Sequence, residues 1–442
     1  MINIKKHIFL FFLMLISPLA INVYADEETY LADIKNYKLM NVTENTRPTV
    51  VTKSELDDLI EKNMVNYYEP NYEVHLFSDY WNLDTIESDF PWKLGCFGND
   101  IKIAVIDSGI RDYESIKDNI LTGYDYLCKT TDTRDYIGHG TFVSGIIASE
   151  TYGLAYKSKI VPLKCFDKNK KTELDDILPA IYDAVDKYDC KIINMSFGLD
   201  ENEDSLYLKQ AIDYAANKGK ILVAAAGNEG SERYVYPASY DNVISVGSVK
   251  SNKNISSFSQ HNDKIAVVAP GESLKSLSII GYNDNKGTSF SAPHVTAAAA
   301  IALNIRDLNC EEFMEILKIT SIDGGDEGYD NYYGYGILNV KNIVNELIGN
   351  NKFFVSPISQ DENSSKLTIY NNSNESQDII CICKSKNLSG IFNINAKSVS
   401  LNVYDSYTFS SDKYDGESTF MFWNNLTDIV PVTNKKFIVN QQ

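Results

Sequence analysis

Six short apolar runs, at 101–106, 160–164, 191–195, 221–225, 243–246 and 265–268, limit what this chain can fold into. Each has the length of a strand and few polar residues, the pattern of a strand buried on both faces. Between them lie stretches with helical spacing, at 141–148, 173–187, 206–218 and 291–305. The second of these is the clearest, with Leu174, Ile177, Ile181, Ala184 and Val185 on one side and Thr172 in place as N-cap. Strands that alternate with helices pair in parallel, because each return needs a crossover and the crossover helix covers a face of the sheet. The fold class predicted is α/β, a parallel sheet with helices on both faces.

Open sheets of this kind gather their chemistry at the carboxyl ends of the strands. The run at 101–106 delivers Asp107-Ser108-Gly109 at that end. His139, one of five histidines, sits between Gly138 and Gly140 at the head of a helical stretch, where a substrate backbone can approach closely. Gly287-Thr288-Ser289-Phe290-Ser291-Ala292-Pro293-His294-Val295 places a hydroxyl at a turn that feeds a helix. Pro293 suits a first helical turn, and the helix start aims unpaired N–H groups and a partial positive charge beside Ser289. Many Gly-Thr-Ser strings are ordinary capped helix starts. With a carboxylate and an imidazole upstream, however, Asp107, His139 and Ser289 can form a hydrogen-bonded relay in that chain order.

The motifs Ala104-Val105-Ile106-Asp107-Ser108-Gly109, Gly138-His139-Gly140-Thr141, Ala225-Ala226-Gly227-Asn228-Glu229-Gly230 and Gly287-Thr288-Ser289-Phe290-Ser291-Ala292-Pro293-His294 stand here in one order. By them the chain resembles the subtilisin-like serine proteases, the subtilase family (peptidase family S8), in which Asp, His, Ser is the chain order. The resemblance covers roughly 81–347. It implies a catalytic triad of Asp107, His139 and Ser289, with Asn228 as the oxyanion-hole amide. It also implies a substrate groove with Ser196, Phe197 and Gly198 on one wall and Ala225, Ala226 and Gly227 on the other. Val235 stands where a glycine would deepen the first pocket. For the residue preceding the cleaved bond, Glu229 and Glu232 favour Lys or Arg, whereas self-cleavage after Phe77 favours a large apolar residue, and the apolar choice is the expectation. Two departures from the family pattern are Phe142, where many members have a second histidine, and Phe290, where many have methionine. No cofactor and no metal is expected in the chemistry. Structural Ca2+ is common in the family, but only four residues separate Ala148 from Gly153, too few for the calcium loop often found there. His294 is read as a packing residue inside its helix.

The flanks are read separately. Residues 1–25 carry Lys5 and Lys6, an apolar core and a small-residue cleavage site, which reads as a secretory signal peptide. Residues 26–77 are polar, with a helix candidate at 54–63 and an extended tail in which Val74 and Phe77 are suited to lie along the groove as an added strand. In a chain of this family that segment is expected to be a propeptide, short for its role as inhibitor and folding aid, cut near Phe77. The catalytic domain is placed at 78–349, and short alternating runs at 366–370, 399–404 and 419–423 make 350–442 a small β-domain.

A formal net charge of −19 disfavours nucleic acid and anionic lipid as partners. The seven cysteines are an odd number, so at least one is unpaired within the chain. Cys165 and Cys190 flank apolar runs and read as small buried hydrophobes, while Cys381 and Cys383 share a face of a strand. The expected function is a secreted, extracellular serine endopeptidase, autoprocessed from a zymogen. Its partners are protein or peptide substrates and its own propeptide, with no transmembrane anchor in the mature form. The alternatives are a dedicated processing protease for one peptide precursor and an inert relative that only binds.

Overall fold

The computed structural model describes residues 29–34, 49–62, 64–70, 80–199, 203–349, 353–355, 359–360, 364–371, 376–387, 392–401, 406–412, 416–423 and 437–440. The expected signal peptide, residues 71–79 with Val74 and Phe77, and residues 402–404 of the alternating run at 399–404 lie outside them. The chain divides into two compact units, Met1–Ser78 and Asp79–Gln442. In the first, β1 (Thr29–Ile34) pairs antiparallel with β2 (Thr49–Thr52) on one side and β3 (Val65–Pro70) on the other, with α1 (Lys53–Glu61) between β2 and β3 in the chain.

The second unit opens with two short helices, α2 (Trp81–Thr85) and α3 (Asp89–Lys93), neither of which has the length to show a period in sequence. The chain then enters β4 (Lys102–Asp107), β5 (Tyr124–Asp125), α4 (His139–Ala148), β6 (Lys159–Lys164), α5 (Leu174–Asp186), β7 (Ile192–Met195), α6 (Leu206–Asn217), β8 (Ile221–Ala225), β9 (Ile244–Val249) and β10 (Ile265–Pro270). These strands form one parallel sheet in the order β10-β9-β8-β7-β4-β6-β5. All six apolar runs are strands of it. The seventh, β5, has two residues, too short to leave a sequence signal. The start of α5 differs from expectation: Glu173 holds the N-cap position and Thr172 does not cap, its hydroxyl donating instead to the Glu173 carbonyl.

A hairpin of β11 (Leu274–Leu277) and β12 (Tyr282–Asn285) leads into α7 (Thr288–Ile305), and α8 (Cys310–Thr320) and α9 (Val340–Ile348) close the α/β part. Helix α7 is the element the core is built around. From Phe290 to Ala302 every side chain is buried, and a helix apolar on all sides is one enclosed by its neighbours. Its alanines let sheet and helices approach closely, since a bare methyl group fills little space.

Beyond α9 the described strands are antiparallel. Strands β13 (Phe353–Val355), β14 (Ser359–Gln360), β15 (Ser364–Asn371) and β18 (Ser406–Asp412) form one sheet. Strands β16 (Gln377–Asn387), β17 (Phe392–Leu401), β19 (Gly416–Trp423) and β20 (Phe437–Asn440) form another. Leu367, Ile369 and Phe409 from the first and Ile379, Cys381 and Leu401 from the second share an apolar core. Tyr370 instead joins the core of the α/β part, its hydroxyl against Gly95. The thiols of Cys96, Cys165, Cys190 and Cys310 are buried and free, that of Cys128 is exposed and free, and Cys381 is buried.

A polar side chain inside so apolar a helix needs a partner, and His294 has two. Its Nδ1–H donates to the Phe290 carbonyl at 2.9 Å, and its Nε2 accepts from Asn82 Nδ2 at 2.9 Å. Burial pushes this imidazole down to about 4, so it is neutral at pH 7 and Asn82 pins α2 to the buried helix. Asn82→Ala leaves a buried ring nitrogen without its donor and is expected to cost about 1–3 kcal/mol in urea unfolding at pH 7; an unchanged midpoint would show that the contact stabilises nothing.

Candidate active site

Strands β4, β7 and β8 are neighbours in the sheet, so their carboxyl ends open onto one place. Asp107 is the last residue of β4, Ser196 follows the last residue of β7, and Asn228 lies three residues beyond β8. The chain leaves β4 toward β6 on one side and returns to β7 on the other, which makes this end of β4 the switch point where an open sheet has a crevice.

His139 is the first residue of α4, and two glycines set its position. Gly138 has φ of +92°, a backbone that a side chain resists, and it turns the chain into the helix. A Cβ on Gly140 would lie 3.1 Å from Asp107 Cβ and overlap the Gly109 carbonyl, so only glycine lets α4 come this near to β4. The result is a contact of His139 Nδ1 with both Asp107 oxygens, at 2.8 and 2.9 Å. Asp107 is 3% exposed, and its Oδ1 also accepts the Ser108 N–H at 2.7 Å. Burial pushes the His139 imidazole down, but the charge of Asp107 and its hydrogen bond push it up by more, leaving its pKa above the ordinary value.

Asp135 is a residue whose part the sequence reading did not assign. It is fully buried, and its Oδ1 accepts from Ser108 Oγ (3.0 Å), Ile137 N (2.8 Å) and Gly138 N (2.9 Å). Its Oδ2 accepts from Thr141 N (3.0 Å) and Thr141 Oγ1 (2.7 Å). One carboxylate thus ties the turn before His139, the first turn of α4 and the residue after Asp107. Asp135 stands four residues before the helix start, and an aspartate that accepts the backbone N–H groups two and three residues on is a signal for this kind of turn.

Ser289 is the second residue of α7, near the helix start as expected, although the helix begins at Thr288 rather than 291. Pro293 lies in the second helical turn, not the first. A proline there withholds the N–H that would bond the carbonyl four residues back, which is that of Ser289. Ser196 Oγ donates to that carbonyl at 2.8 Å, so the helix runs through the proline without an orphaned acceptor. Ser196 Oγ is in turn held by Asn194 Nδ2 at 3.0 Å, and Asn194 Oδ1 by Thr296 Oγ1 at 2.8 Å. The Ser289 hydroxyl donates to the Ser196 carbonyl at 3.2 Å rather than to the imidazole.

Asn228 is exposed, with its amide oriented by Thr288. Its Oδ1 accepts from Thr288 N at 2.8 Å, which turns Nδ2 outward. Thr288 N–H is therefore engaged, and Phe290 N–H donates to the Gly287 carbonyl at 2.9 Å. Between them, Ser289 N–H and Asn228 Nδ2 have no hydrogen-bond acceptor among the described residues. Two unspent donors at a helix N-terminus make a site for developing negative charge.

A cleft of about 240 Å³ opens on the other side of His139, lined by Asp107, Ile137, Phe166, Lys170, Phe197 and Gly198 among others. Phe166 and Phe197 form its aromatic lining, with ring centroids 5.5 Å apart. Of the expected groove residues, Ser196, Ala225 and Ala226 are buried, Phe197 and Gly227 half-buried and Gly198 exposed. The two departures from the family pattern touch each other. The Phe142 and Phe290 rings are 4.5 Å apart and Phe290 lies 5.3 Å from the His139 ring, so a pair of aromatic residues packs beneath the imidazole.

Among the described residues no group of three or more His, Cys, Asp or Glu side chains could hold a metal ion. The link after α4 does not fit a calcium loop: Ser149 Oγ donates to Ser115 Oγ and accepts Thr151 N–H, and the chain closes with Gly153 N on the Ser149 carbonyl. Among the described residues no helix is long and apolar enough to cross a membrane.

Comparison with known proteins shows the family. The model of the Subtilase family matches residues 98–336, more than half of the chain. The chain is 35% identical over 303 residues to a thermophilic serine proteinase of Bacillus sp. (strain AK1), the match covering 64% of this chain and 73% of that protein. It is 32% identical over 332 residues to the minor extracellular protease Epr of Bacillus subtilis (strain 168), covering 73% of this chain and 49% of the relative, about half its length. Among solved structures, a cold adapted subtilisin-like serine proteinase superposes with a TM-score of 0.52 at 25% identity, over 55% of this chain and 90% of that one.

The Asp135 network gives a test. In Asp135→Asn the amide nitrogen must face donors whichever way it is turned, two on one side or three on the other. The substitution is expected to lower stability by about 2–4 kcal/mol in thermal or urea unfolding, as loss of a buried charged acceptor does; a variant as stable as wild type would mean the five contacts are incidental.

Proposed function

Because the chain belongs to the subtilase family and is a serine endopeptidase, we propose that Asp107, His139 and Ser289 carry out its peptide-bond hydrolysis, with Asn228 and the Ser289 N–H as the oxyanion donors. The observation that carries this reading is the pair of unspent donors beside a serine whose sequence neighbour, Phe290, has its ring 5.3 Å from the Asp-held imidazole. Rotation about χ1 swings Ser289 Oγ from the Ser196 carbonyl toward His139 Nε2. His139 takes the hydroxyl proton as Oγ attacks the scissile carbonyl, and Asp107 holds the Nδ1–H tautomer and the cation that forms. The oxyanion is met by Asn228 Nδ2 and Ser289 N–H. His139 then gives its proton to the leaving amine, and a water, deprotonated by the same imidazole, releases the acyl group from Ser289. Loss of one side-chain oxyanion donor costs about 3–4 kcal/mol, a magnitude established on subtilisin itself. Subtilases need no catalytic cofactor, and the steps above use none.

The groove reading of Ser196, Phe197, Gly198, Ala225, Ala226 and Gly227 belongs to the same proposal, as does export of the chain through residues 1–25. An extracellular relative and the apolar N-terminal stretch support export. The segment 26–77 is read as a propeptide. What supports this is that it lies within a compact unit, Met1–Ser78, whose described part is a three-stranded sheet with one helix. A domain boundary near 350 is supported by the change from alternating strand and helix to antiparallel strands.

The test is hydrolysis of denatured casein, together with the intact mass of the purified protein, for wild type and Ser289→Ala. Wild type is expected to cut casein and to be shortened near residue 77, and the variant to do neither; a variant that still matures would assign the cut to another protease. A second expectation concerns pH. The imidazole must be neutral to accept a proton, so kcat/KM falls as pH drops through its pKa. With Asp107 outweighing burial, that acid limb is expected above the ordinary 6.5. An inflection well below 6.5 would contradict the Asp107 contribution.

A further inference from the structure

The two proposed groove walls, Ser196–Gly198 and Ala225–Gly227, do not enclose an empty pocket. The side chain of Val235 stands between them. A Cβ on Gly198 would overlap Val235 Cγ1, and one on Gly227 would lie 2.9 Å from Val235 Cγ2 and 2.6 Å from Gln260 Cγ. One isopropyl group thus touches both walls, and the missing side chains of Gly198 and Gly227 are space that Val235 already uses.

Val235 is fixed in this place. Its N–H donates to Ser239 Oγ at 3.1 Å and its carbonyl accepts Ser239 N–H at 2.9 Å. The next residue is tied to the first wall, with Leu199 N–H donating to the Tyr236 carbonyl at 2.8 Å. Behind it, the fully buried Gln260 accepts Glu229 N–H and Ser231 N–H on Oε1 and closes the loop that carries Val235. A β-branched side chain has few alternative rotamers, so it cannot fold aside without moving this bonded backbone.

We propose that Val235 is a specificity-determining residue: it closes the pocket for the side chain immediately before the scissile bond, so that the enzyme cleaves after glycine, alanine or serine and excludes aromatic and long basic residues there. This rests on the endopeptidase reading of the Ser289 site. It replaces the sequence expectation of a large apolar residue. The basic alternative is also weakened, because Glu229 is exposed and its nearest cation is Arg233, at 3.5 Å. Self-cleavage is then expected after Ser78 rather than after Phe77, giving a mature chain that begins at Asp79.

The experiment uses peptide p-nitroanilides that differ only in the last residue, Gly, Ala, Phe or Lys, assayed with the mature enzyme and with Val235→Gly and Val235→Ala. Wild type is expected to favour Ala over Phe and Lys by at least about tenfold in kcat/KM, the discrimination a hydrophobic pocket supplies. Val235→Gly is expected to raise the Phe value by a similar factor and leave the Ala value within a few-fold, with Val235→Ala between them and informative should the glycine variant fold poorly. Wild type cutting after Phe as well as after Ala, or a Phe/Ala ratio that neither variant moves, overturns the proposal. Failure of the underlying reading looks different: no member of the series is cut, and Ser289 does not react with a fluorophosphonate.

Discussion

An eighteen-residue helix that is buried almost all round must find partners inside the protein for most of the polar groups that it does not satisfy itself; here Ser291 Oγ is the exception among the described residues. In this chain several of those partners lie at the candidate active site, while His294 is met elsewhere, by Asn82. The carbonyl released by Pro293 belongs to Ser289, and its donor is the first side chain beyond β7. The first N–H of the helix is taken by Asn228, beyond β8. The hydroxyl of Thr296 holds Asn194, which holds Ser196. Burying α7 and aligning the ends of the two strands are therefore one event, and the serine is oriented as a consequence of folding rather than by a separate device.

The acid and the imidazole are organised by a second constraint of the same kind. Asp107 and Asp135 are both buried carboxylates, and neither can be enclosed without donors. Asp135 takes five, all from the residue after Asp107, the turn before His139 and the start of α4. Asp107 takes its own from Ser108 and from His139. The contact between Asp107 and His139 is thus clamped from both sides, which explains why glycine at 140 is needed to permit the approach. Where Val235 and the Phe142–Phe290 pair stand, this chain fills with apolar side chains the spaces beside the candidate site.

Much of the scaffold was legible in the sequence because buried parallel strands are continuous apolar runs, and all six runs read as strands are strands. The placement of the candidate residues was legible for a related reason: Asp107 and Asn228 follow strand ends, His139 opens a helix, and the glycines around them mark close approach, while the roles proposed for them came from the family resemblance. What escaped was of two kinds. Elements without a periodic apolar signal, such as the two-residue β5 and the polar, exposed β12, left nothing to read, although the capping box of Asn309 with Glu312 at the start of α8 was a readable signal. The other kind was long-range bonding. Ser196 and Ser289 are 93 residues apart, and nothing local in either says that a proline four residues past the serine would bring them together. Pro293 was misjudged for this reason, whereas Thr172 was misplaced by one position, since Glu173 holds the N-cap and the Thr172 hydroxyl bonds the Glu173 carbonyl.

The central claim is that Ser289 is the nucleophile and that the Asp107-held imidazole activates it. The most direct measurement is the rate at which a fluorophosphonate reacts with wild type and with His139→Ala, with the modified peptide identified by mass spectrometry. The account predicts a single adduct, on Ser289, forming at least about a hundredfold more slowly in the variant, the scale of a positioned general base. An adduct on any other residue, or equal rates for the two proteins, would contradict it.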